Sequence, residues 1–221
     1  MTFPRVVSRS ASSSSALQDA EPVLPASRTK PSRLFLASSS PRRRDMLAQI
    51  GIVPDRILTP DIDEAPRHDE LPGQYVLRLA HAKADAALVL DDEAGLLLAA
   101  DTAVALGRRI LPKAEDEGTA RHCLSLLSGR RHTVVTAVVL HAFDSARTFR
   151  VVETVVGFSR LTDRQINVLI ATGDWSGKAG GYAIQGQAAS VIRFISGSYS
   201  NVVGLPLFET AQLLRGRGWL P

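Results

Sequence analysis

The sequence has little cysteine, few aromatic residues and no long apolar run. Its 221 residues include one cysteine, Cys123, which excludes an internal disulfide and fits a reducing compartment. We therefore expect a cytoplasmic protein, and the leucines around Cys123 indicate a small core residue. No apolar run approaches the ~20 residues that a membrane-spanning helix needs, so no membrane partner is expected.

Basic charge is nearly balanced over most of the chain. The net charge is +4, but residues 1–33 hold five basic and two acidic side chains and so account for +3 of it. The remaining residues carry +1, and aromatic residues make up 5% of the sequence. This composition lacks the basic face and the stacking rings of a nucleic-acid-binding module, so no nucleic-acid partner is expected.

Three common catalytic patterns are also missing. The five histidines are scattered without zinc-ligand spacing. No Gly-x-Ser-x-Gly elbow accompanies a Ser-His-Asp arrangement, and no Gly-x-x-x-x-Gly-Lys loop is present. These absences exclude a zinc site of the usual spacing, an α/β-hydrolase nucleophile and a conventional P-loop ATPase.

Residues 1–33 differ from the rest of the chain. They are rich in serine and proline and have no apolar periodicity, which predicts a disordered tail before a single domain at residues 34–221. In that domain the patterns predict strands from residue 34 and at 96–106, 132–143, 148–158 and 190–195. They predict helices at 41–51, 74–90, 115–127, 162–173 and 206–215, with a polar loop at 57–72. Strands and helices mixed in this order, with one hairpin, imply an α/β or α+β body with a mixed sheet.

The segment at residues 34–51 joins an apolar strand to a helix that begins with positive charge. Ser40 fits the N-cap and Pro41 the first helical position. Free N–H groups at a helix start favour an anion, yet three adjacent arginines at 42–44 add positive charge there. A bound polyphosphate would offset this charge, whereas a solvated basic helix end is the alternative.

Two charged residues lie where apolar residues are expected. Asp101 interrupts an apolar strand, so its carboxylate needs a cation, a hydrogen-bond network or a proton, unless it only caps a strand end. Lys83 lies on the apolar stripe of its predicted helix. It either extends along the edge of the stripe into solvent or reaches a phosphate site.

Two loops have the composition of a ligand site. Asp61, Asp63 and Glu64 place three carboxylates within four residues, which suits Mg²⁺ or Mn²⁺, although loop acids are commonly only solvated. The glycine-rich loop at residues 178–186 allows close backbone approach to a ligand. Its Gln185 offers an amide donor and an acceptor to a base edge. Ser198, Tyr199 and Asn201, in the motif that follows, are equally turn formers and receive no role.

Together these segments resemble the Maf family of nucleoside triphosphate pyrophosphatases. The resemblance extends from about residue 34 to about residue 214, and its motifs follow the family's order: 34–47, Asp61-Ile62-Asp63-Glu64, Ala99-Ala100-Asp101-Thr102, 178–186 and 197–207. It implies an elongated twisted mixed β-sheet flanked by helices, inosine-triphosphatase-like, with a cleft between two lobes. It also implies hydrolysis of a nucleoside triphosphate to a monophosphate and pyrophosphate, with a divalent cation, Mg²⁺ or Mn²⁺, as cofactor.

The resemblance also implies roles for single residues. Asp101 matches the residue proposed to orient or deprotonate the attacking water, and Glu64 matches an acidic metal ligand with Asp101 as its partner. The matched substrate-binding residues are Ser38, Arg42, Arg43, Lys83 and Lys113. The flanks of Lys113 depart from the family, because Pro112-Lys113-Ala114 stands where the family has Gly-Lys-Pro. A homodimer is left open as the oligomeric state.

Three positions bear on the choice of nucleotide. The branch of the family that acts on dTTP and UTP has Arg, Thr and Gln where this chain has Arg42, Thr102 and Gln185. The resemblance therefore implies dTTP and UTP as substrates, with modified pyrimidine triphosphates. The alternatives are a 7-methyl-GTP or broad-specificity pyrophosphatase, and a non-catalytic nucleotide-binding regulator of cell division, in which Asp101 would be dispensable.

Overall fold

The computed structural model describes residues 33–90, 95–142 and 145–220. The strands are β1 (Leu34–Ala37), β2 (Arg56–Leu58), β3 (Leu96–Leu106), β4 (Arg109–Leu111), β5 (Lys113–Ala114), β6 (Arg131–Ala142), β7 (Ser145–Phe158), β8 (Lys178–Ala179) and β9 (Ile192–Ser196). The helices are α1 (Pro41–Gln49), α2 (Pro72–Leu90), α3 (Glu117–Leu127), α4 (Asp163–Ala171), α5 (Tyr199–Val203) and α6 (Leu207–Arg215). No helix in these ranges combines the length and apolarity that crossing a bilayer requires.

The predicted tail, residues 1–33, lies outside the described residues except for Arg33. The carbonyl of Arg33 accepts a hydrogen bond of 3.0 Å from the backbone N–H of Leu96. Backbone pairing with the start of β3 is therefore already in place at residue 33.

One mixed sheet organises the described residues. Its strands run in the order β2-β1-β3-β6-β7-β9, and β4 also pairs with β3. β1 is parallel to β2 and β3, whereas the pairs β3–β6, β6–β7 and β7–β9 are antiparallel. The predicted mixed α/β sheet flanked by helices is confirmed. The predicted loop at 57–72 is wrong at its start, because the backbone there pairs with β1 as β2.

Side chains alternate along β3 and separate two apolar layers. Leu96, Leu98 and Ala100 belong to the layer that α1, α3, α4 and α6 cover. Leu97 and Ala99 belong to the other layer, which is covered by α2. Such alternation follows from the two-residue period of a strand.

Local polar contacts set several helix and strand ends. The predicted capping box is confirmed, because Thr162 and Gln165 satisfy each other's backbone N–H groups. The strand predicted at 190–195 starts late, at β9. Residues Gln187–Val191 form a 3-10 helix instead, in which the Ser190 hydroxyl donates to the Gln187 carbonyl at 2.8 Å.

An open stretch of β3 fixes where a ligand can approach the sheet. The pairing of β1 with β3 ends at Ala99, and the pairing of β4 with β3 begins at Val104. Along this edge the described pairings leave residues 100–103 without a strand partner. Asp101 and Thr102 lie in that interval, beside the carboxyl end of β1, where open sheets with parallel strands commonly bind ligands.

Candidate active site

A cavity of about 340 Å³ opens beside the unpaired stretch of β3. Seven charged side chains line it: Arg42, Arg43, Glu64, Lys83, Asp101, Lys113 and Lys178. Five of these are cationic and two are anionic, so the lining carries a formal charge of +3. A cavity of this size and sign fits an anionic small molecule with several negative charges.

The start of α1 forms one wall of the cavity. Ser39, Ser40, Pro41 and Arg42 line it. Ser40 occupies the predicted N-cap position, but its side chain makes no cap hydrogen bond, and the first turn contains no acidic residue. The positive end of the helix is therefore not neutralised from within its own first turn, which favours an anion at this wall.

Arg43 is a buried cation with a fixed orientation. It is 8% exposed. Its Nε donates to the Gly204 carbonyl at 2.9 Å, its Nη1 to Ser38 Oγ at 3.0 Å and its Nη2 to Thr102 Oγ1 at 3.2 Å. Burial lowers the pKa of Arg43, and the nearby Asp101 carboxylate opposes this effect. These contacts fix the plane of the guanidinium group.

The other two arginines of α1 differ in their surroundings. Arg42 lines the cavity, and burial lowers its pKa. Arg44 instead pairs with Asp45 on the exposed side of the helix at 3.1 Å. Two of the three adjacent arginines therefore face the site.

Lys83 joins two carboxylates from different parts of the chain. Its Nζ lies 2.5 Å from Asp101 Oδ1 and 2.7 Å from Glu64 Oε1. The Nζ of Lys113 contacts the other oxygen of Glu64. Burial raises the pKa of Glu64, but the hydrogen bonds from Lys113 and Lys83 outweigh it, and the net pKa is lowered. Asp101 thus has the cation that its position in an apolar strand requires.

The loop that carries Glu64 is held by α2. The Tyr75 hydroxyl donates to the Glu64 carbonyl at 2.9 Å, and Arg78 donates to the carbonyl of Ala65 at 3.1 Å. Burial and the two site carboxylates raise the pKa of Tyr75 to about 12, so this hydroxyl keeps its proton. Of the three predicted loop acids, Glu64 alone lines the cavity. Asp63 instead accepts a hydrogen bond from the Ala65 backbone.

The two donors of the predicted metal pair fit a hard divalent cation. In the described ranges no group of three or more His, Cys, Asp or Glu side chains is placed to hold a metal. Mg²⁺ and similar ions, however, commonly bind through one or two carboxylates plus substrate phosphates and water. Oxygens of Glu64 and Asp101 already face one cation position, which the ammonium group of Lys83 defines.

The small sheet of β5 and β8 forms another part of the wall. It carries Lys113 and Lys178, and the glycine-rich loop continues from it to Gln185, which also lines the cavity. Gly181 has φ +68°, and a Cβ there would lie 3.1 Å from the Cα of Ala120. The loop therefore packs against α3 at a position that only glycine fits without strain.

Two of the predicted site residues hold Arg43 through their hydroxyl groups, and Thr102 also lines the cavity. Ser38 is 4% exposed and accepts hydrogen bonds from Arg43 and from the Ser40 backbone. The Thr102 hydroxyl accepts from Arg43 and lies 2.9 Å from the Thr136 hydroxyl. Both hydroxyls thus hold Arg43 in place.

The sequence analysis assigned no role to some residues in or beneath the site. Lys178 lines the cavity, and burial, followed by the charge of Arg42, lowers its pKa. Tyr182 belongs to the glycine-rich loop and is buried, and its hydroxyl lies 2.7 Å from Nε2 of His132. Burial lowers the pKa of His132 to about 4. Asn201 is completely buried. A basic residue between glycines was a usable signal for Lys178, whereas the other contacts join distant segments.

Comparison with known proteins identifies the family. A model of the family described as Maf-like protein matches residues 33–217. The chain belongs to the Maf family. It is 60% identical over 199 residues to a dTTP/UTP pyrophosphatase of Gluconobacter oxydans, and the match covers 85% of this chain and 91% of the relative. It is 58% identical over 199 residues to a Granulibacter bethesdensis protein of the same name, covering 84% and 93%. The predicted family is confirmed.

Solved structures are less similar to this Maf protein than these relatives are. The Ham1 protein of Staphylococcus aureus matches with a TM-score of 0.41 and 14% identity over 57% of this chain and 71% of its own. A nucleoside-triphosphatase (dITP/XTP pyrophosphatase) of Mycobacterium abscessus matches with a TM-score of 0.35 and 15% identity over 58% and 73%. Likenesses at this level carry no conclusion about activity.

Proposed function

We propose that this Maf protein hydrolyses dTTP and UTP, with modified pyrimidine triphosphates, to a nucleoside monophosphate and pyrophosphate. The observation that carries the proposal is the cavity itself, where five cationic side chains surround two carboxylates. Relatives named dTTP/UTP pyrophosphatase, at 60% and 58% identity over most of the chain, support the substrate. The reaction needs a gripped polyphosphate and a positioned water, and it needs no organic cofactor.

The cationic walls bind the triphosphate in this proposal. Arg42, Arg43 and the start of α1 hold it from one side, and Lys113 approaches from the other. Lys83 exchanges part of its pairing with carboxylates for phosphate oxygens. Ser38 contributes through Arg43, whose guanidinium plane it helps to fix.

Asp101 is the proposed catalytic residue. Its carboxylate lies in the open stretch of β3, where it can orient the attacking water and accept its proton. Glu64 and Asp101 are the residues that would hold Mg²⁺ or Mn²⁺. When bound, such an ion neutralises charge on phosphate oxygens.

Selectivity for pyrimidines is assigned to three residues: Gln185, Arg42 and Thr102. Gln185 faces the cavity from the glycine-rich loop with an amide that can pair with a base edge. Arg42 contacts the nucleotide from α1, and Thr102 acts through its hydrogen bond to Arg43. A cytoplasmic location and a homodimer stay predictions from the sequence.

A product assay in ¹⁸O-labelled water tests the proposal. dTTP, UTP, dATP, dGTP and 7-methyl-GTP are compared at equal concentration with Mg²⁺ or Mn²⁺. We expect pyrophosphate and monophosphate in equal amounts from dTTP and UTP, with the label in the monophosphate, because water attacks the α-phosphorus. Orthophosphate and a diphosphate as products would contradict the proposal. A preference for 7-methyl-GTP, or equal rates for all nucleotides, would be compatible with the proposed reaction but would refute the proposed preference for dTTP and UTP.

Asp101→Asn separates an enzyme from a nucleotide-binding regulator. Loss of a general base lowers the rate by ~10²–10⁴-fold, while the amide keeps nearly the same volume. The matched control is Asp85→Asn, because Asp85 is an exposed α2 carboxylate paired with Arg147. The control should keep its activity. Tight nucleotide binding without turnover in the wild-type chain would instead favour a regulator of cell division.

A further inference from the structure

The motif at residues 197–207 forms the floor of the cavity. It contains α5, a helix of five residues that ends in a turn at Gly204. Val202, Val203 and Gly204 line the cavity, whereas Asn201 is completely buried beneath them. A helix this short is not stable by itself, so its position depends on contacts with the sheet.

Asn201 supplies three of the hydrogen bonds that hold α5 on the sheet, and Ser198 adds others to Thr154. Its Nδ2 donates to the carbonyl of Val134 in β6 and to the Thr154 hydroxyl in β7, both at 3.0 Å. Its own backbone carbonyl accepts from the Thr136 hydroxyl at 3.2 Å. The amide therefore ties the segment to two neighbouring strands, and it is fully withdrawn from solvent.

Two routes lead from Asn201 to Arg43. Along the backbone, the chain runs three residues to Gly204, whose carbonyl accepts from Arg43 Nε at 2.9 Å. Through side chains, the Thr136 hydroxyl lies 2.9 Å from that of Thr102, which accepts from Arg43 Nη2 at 3.2 Å. Both routes end on the same guanidinium group.

We propose that Asn201 is a positioning residue that aims Arg43 at the phosphates of the substrate. The three contacts of Arg43 use one N–H on each of its nitrogens, which leaves one on Nη1 and one on Nη2 for a phosphate. A guanidinium group is planar and directs its N–H groups along fixed lines, so they meet phosphate oxygens only in a narrow range of orientations. The inference rests on the proposed function, since Arg43 is there assigned to the triphosphate.

A double-mutant cycle tests the proposal. Asn201→Ala and Arg43→Lys are made singly and together, and kcat/KM is measured for dTTP. A misplacement of about 1 Å at a reacting site can cost about 100-fold, so Asn201→Ala should lower kcat/KM about 10- to 100-fold in the wild-type background. In the Arg43→Lys background the planar guanidinium group is already absent, so the same change should lower kcat/KM by less than about 3-fold.

Thr210→Val is the matched control for a general structural effect. The Thr210 hydroxyl is completely buried and donates to the Pro206 carbonyl at 2.8 Å, in the segment that follows α5. Its loss should lower the melting temperature while kcat/KM changes by less than about 2-fold, since this hydroxyl bonds to the residue before α6 and not to Arg43 or its partners. An Asn201→Ala effect of equal size in both Arg43 backgrounds would overturn the proposal, as would an unchanged kcat/KM in the folded variant.

Binding of inorganic tripolyphosphate gives a readout that does not need turnover. Calorimetry on the same four proteins should show weaker binding for Asn201→Ala only when Arg43 is present. If the wild-type chain released no pyrophosphate from dTTP or UTP, the proposed function would fail while this cycle still decided the role of Asn201. If Asn201→Ala does not fold, Thr136→Val replaces it in the cycle. This variant keeps the side-chain volume and removes the hydroxyl that links Asn201 to Thr102.

Discussion

Replacing Lys83 by methionine should destabilise the protein and reveal a cation-binding position. Both carboxylate oxygens lie close to one nitrogen, at 2.5 Å for Asp101 and 2.7 Å for Glu64, so they are at most about 5 Å apart. At an effective dielectric constant of ~20, two unit charges about 5 Å apart repel by about 3 kcal/mol. Lys113 still pairs with Glu64 and offsets part of this repulsion. A loss of 2–3 kcal/mol, about 5–10 °C in melting temperature, is therefore expected.

Mn²⁺ should stabilise the Lys83→Met variant more than the wild-type chain. In the wild type a metal ion competes with the Lys83 ammonium for the same two oxygens, whereas in the variant that position has lost its cation. A ligand that binds only the folded state raises stability in proportion to the logarithm of its concentration over Kd. Thermal unfolding is measured across a Mn²⁺ titration without nucleotide, and Mn²⁺ affinity is measured separately by calorimetry.

The control for this prediction is Lys178→Met. Lys178 lines the same cavity, but its Nζ donates to the Ser176 carbonyl at 2.8 Å and to neither carboxylate. It should lose little stability and gain no extra response to Mn²⁺. Equal Mn²⁺ responses for wild type and Lys83→Met would refute the reasoning, since they would place the metal away from Glu64 and Asp101.

Two further predictions concern stability. The hydrogen bond and charge of Arg78 lower the pKa of Glu70 to about 2, so their stabilisation is present above pH ~4.5 and is lost as pH falls toward 2. Glu70→Gln should cost about 1–2 kcal/mol at pH 7 in urea unfolding, less than the full pKa shift because solvent screens the pair and Gln keeps an acceptor, and the difference from wild type should vanish between about pH 5 and 2. Gly181→Ala should cost more than Gly51→Ala, although both residues have positive φ, because the added Cβ meets Ala120 only at Gly181. Equal melting temperatures for the two alanine variants would contradict a close contact at this loop.

Patterns of short period predicted most of the fold. The apolar run of β3 and the capping box before α4 each depend on residues within a few positions of one another, and both were predicted correctly. The strand β2 and the pair β5–β8 were missed because they contain two or three residues and exist through pairing with distant backbone. α5 was missed for a related reason, since its five residues depend on buried contacts to β6 and β7.

The site residues likewise include some that the local sequence predicted and others that depend on long-range contacts. Asp101 and Lys83 were singled out because each is a charge in an apolar pattern, and burial makes such a residue conspicuous. Which charges would pair was not predictable, because Lys83 and Glu64 are brought together by the packing of α2 on the sheet. The roles of Ser38 and Thr102 around Arg43 likewise depend on contacts between segments far apart in sequence.

Adjacent residues of β3 serve one cavity from opposite faces of the sheet. Asp101 projects toward α2 and meets Lys83, whereas Thr102 projects the other way and meets Arg43. In a fully paired strand, neighbouring strands would separate two such side chains. Here the edge is open between Ala99 and Val104, so a ligand at that edge can be reached from both faces. If the proposed function holds, the gap would let the carboxylate–lysine cluster and the arginine network act on the same substrate while remaining separate hydrogen-bond systems, each held by its own part of the fold.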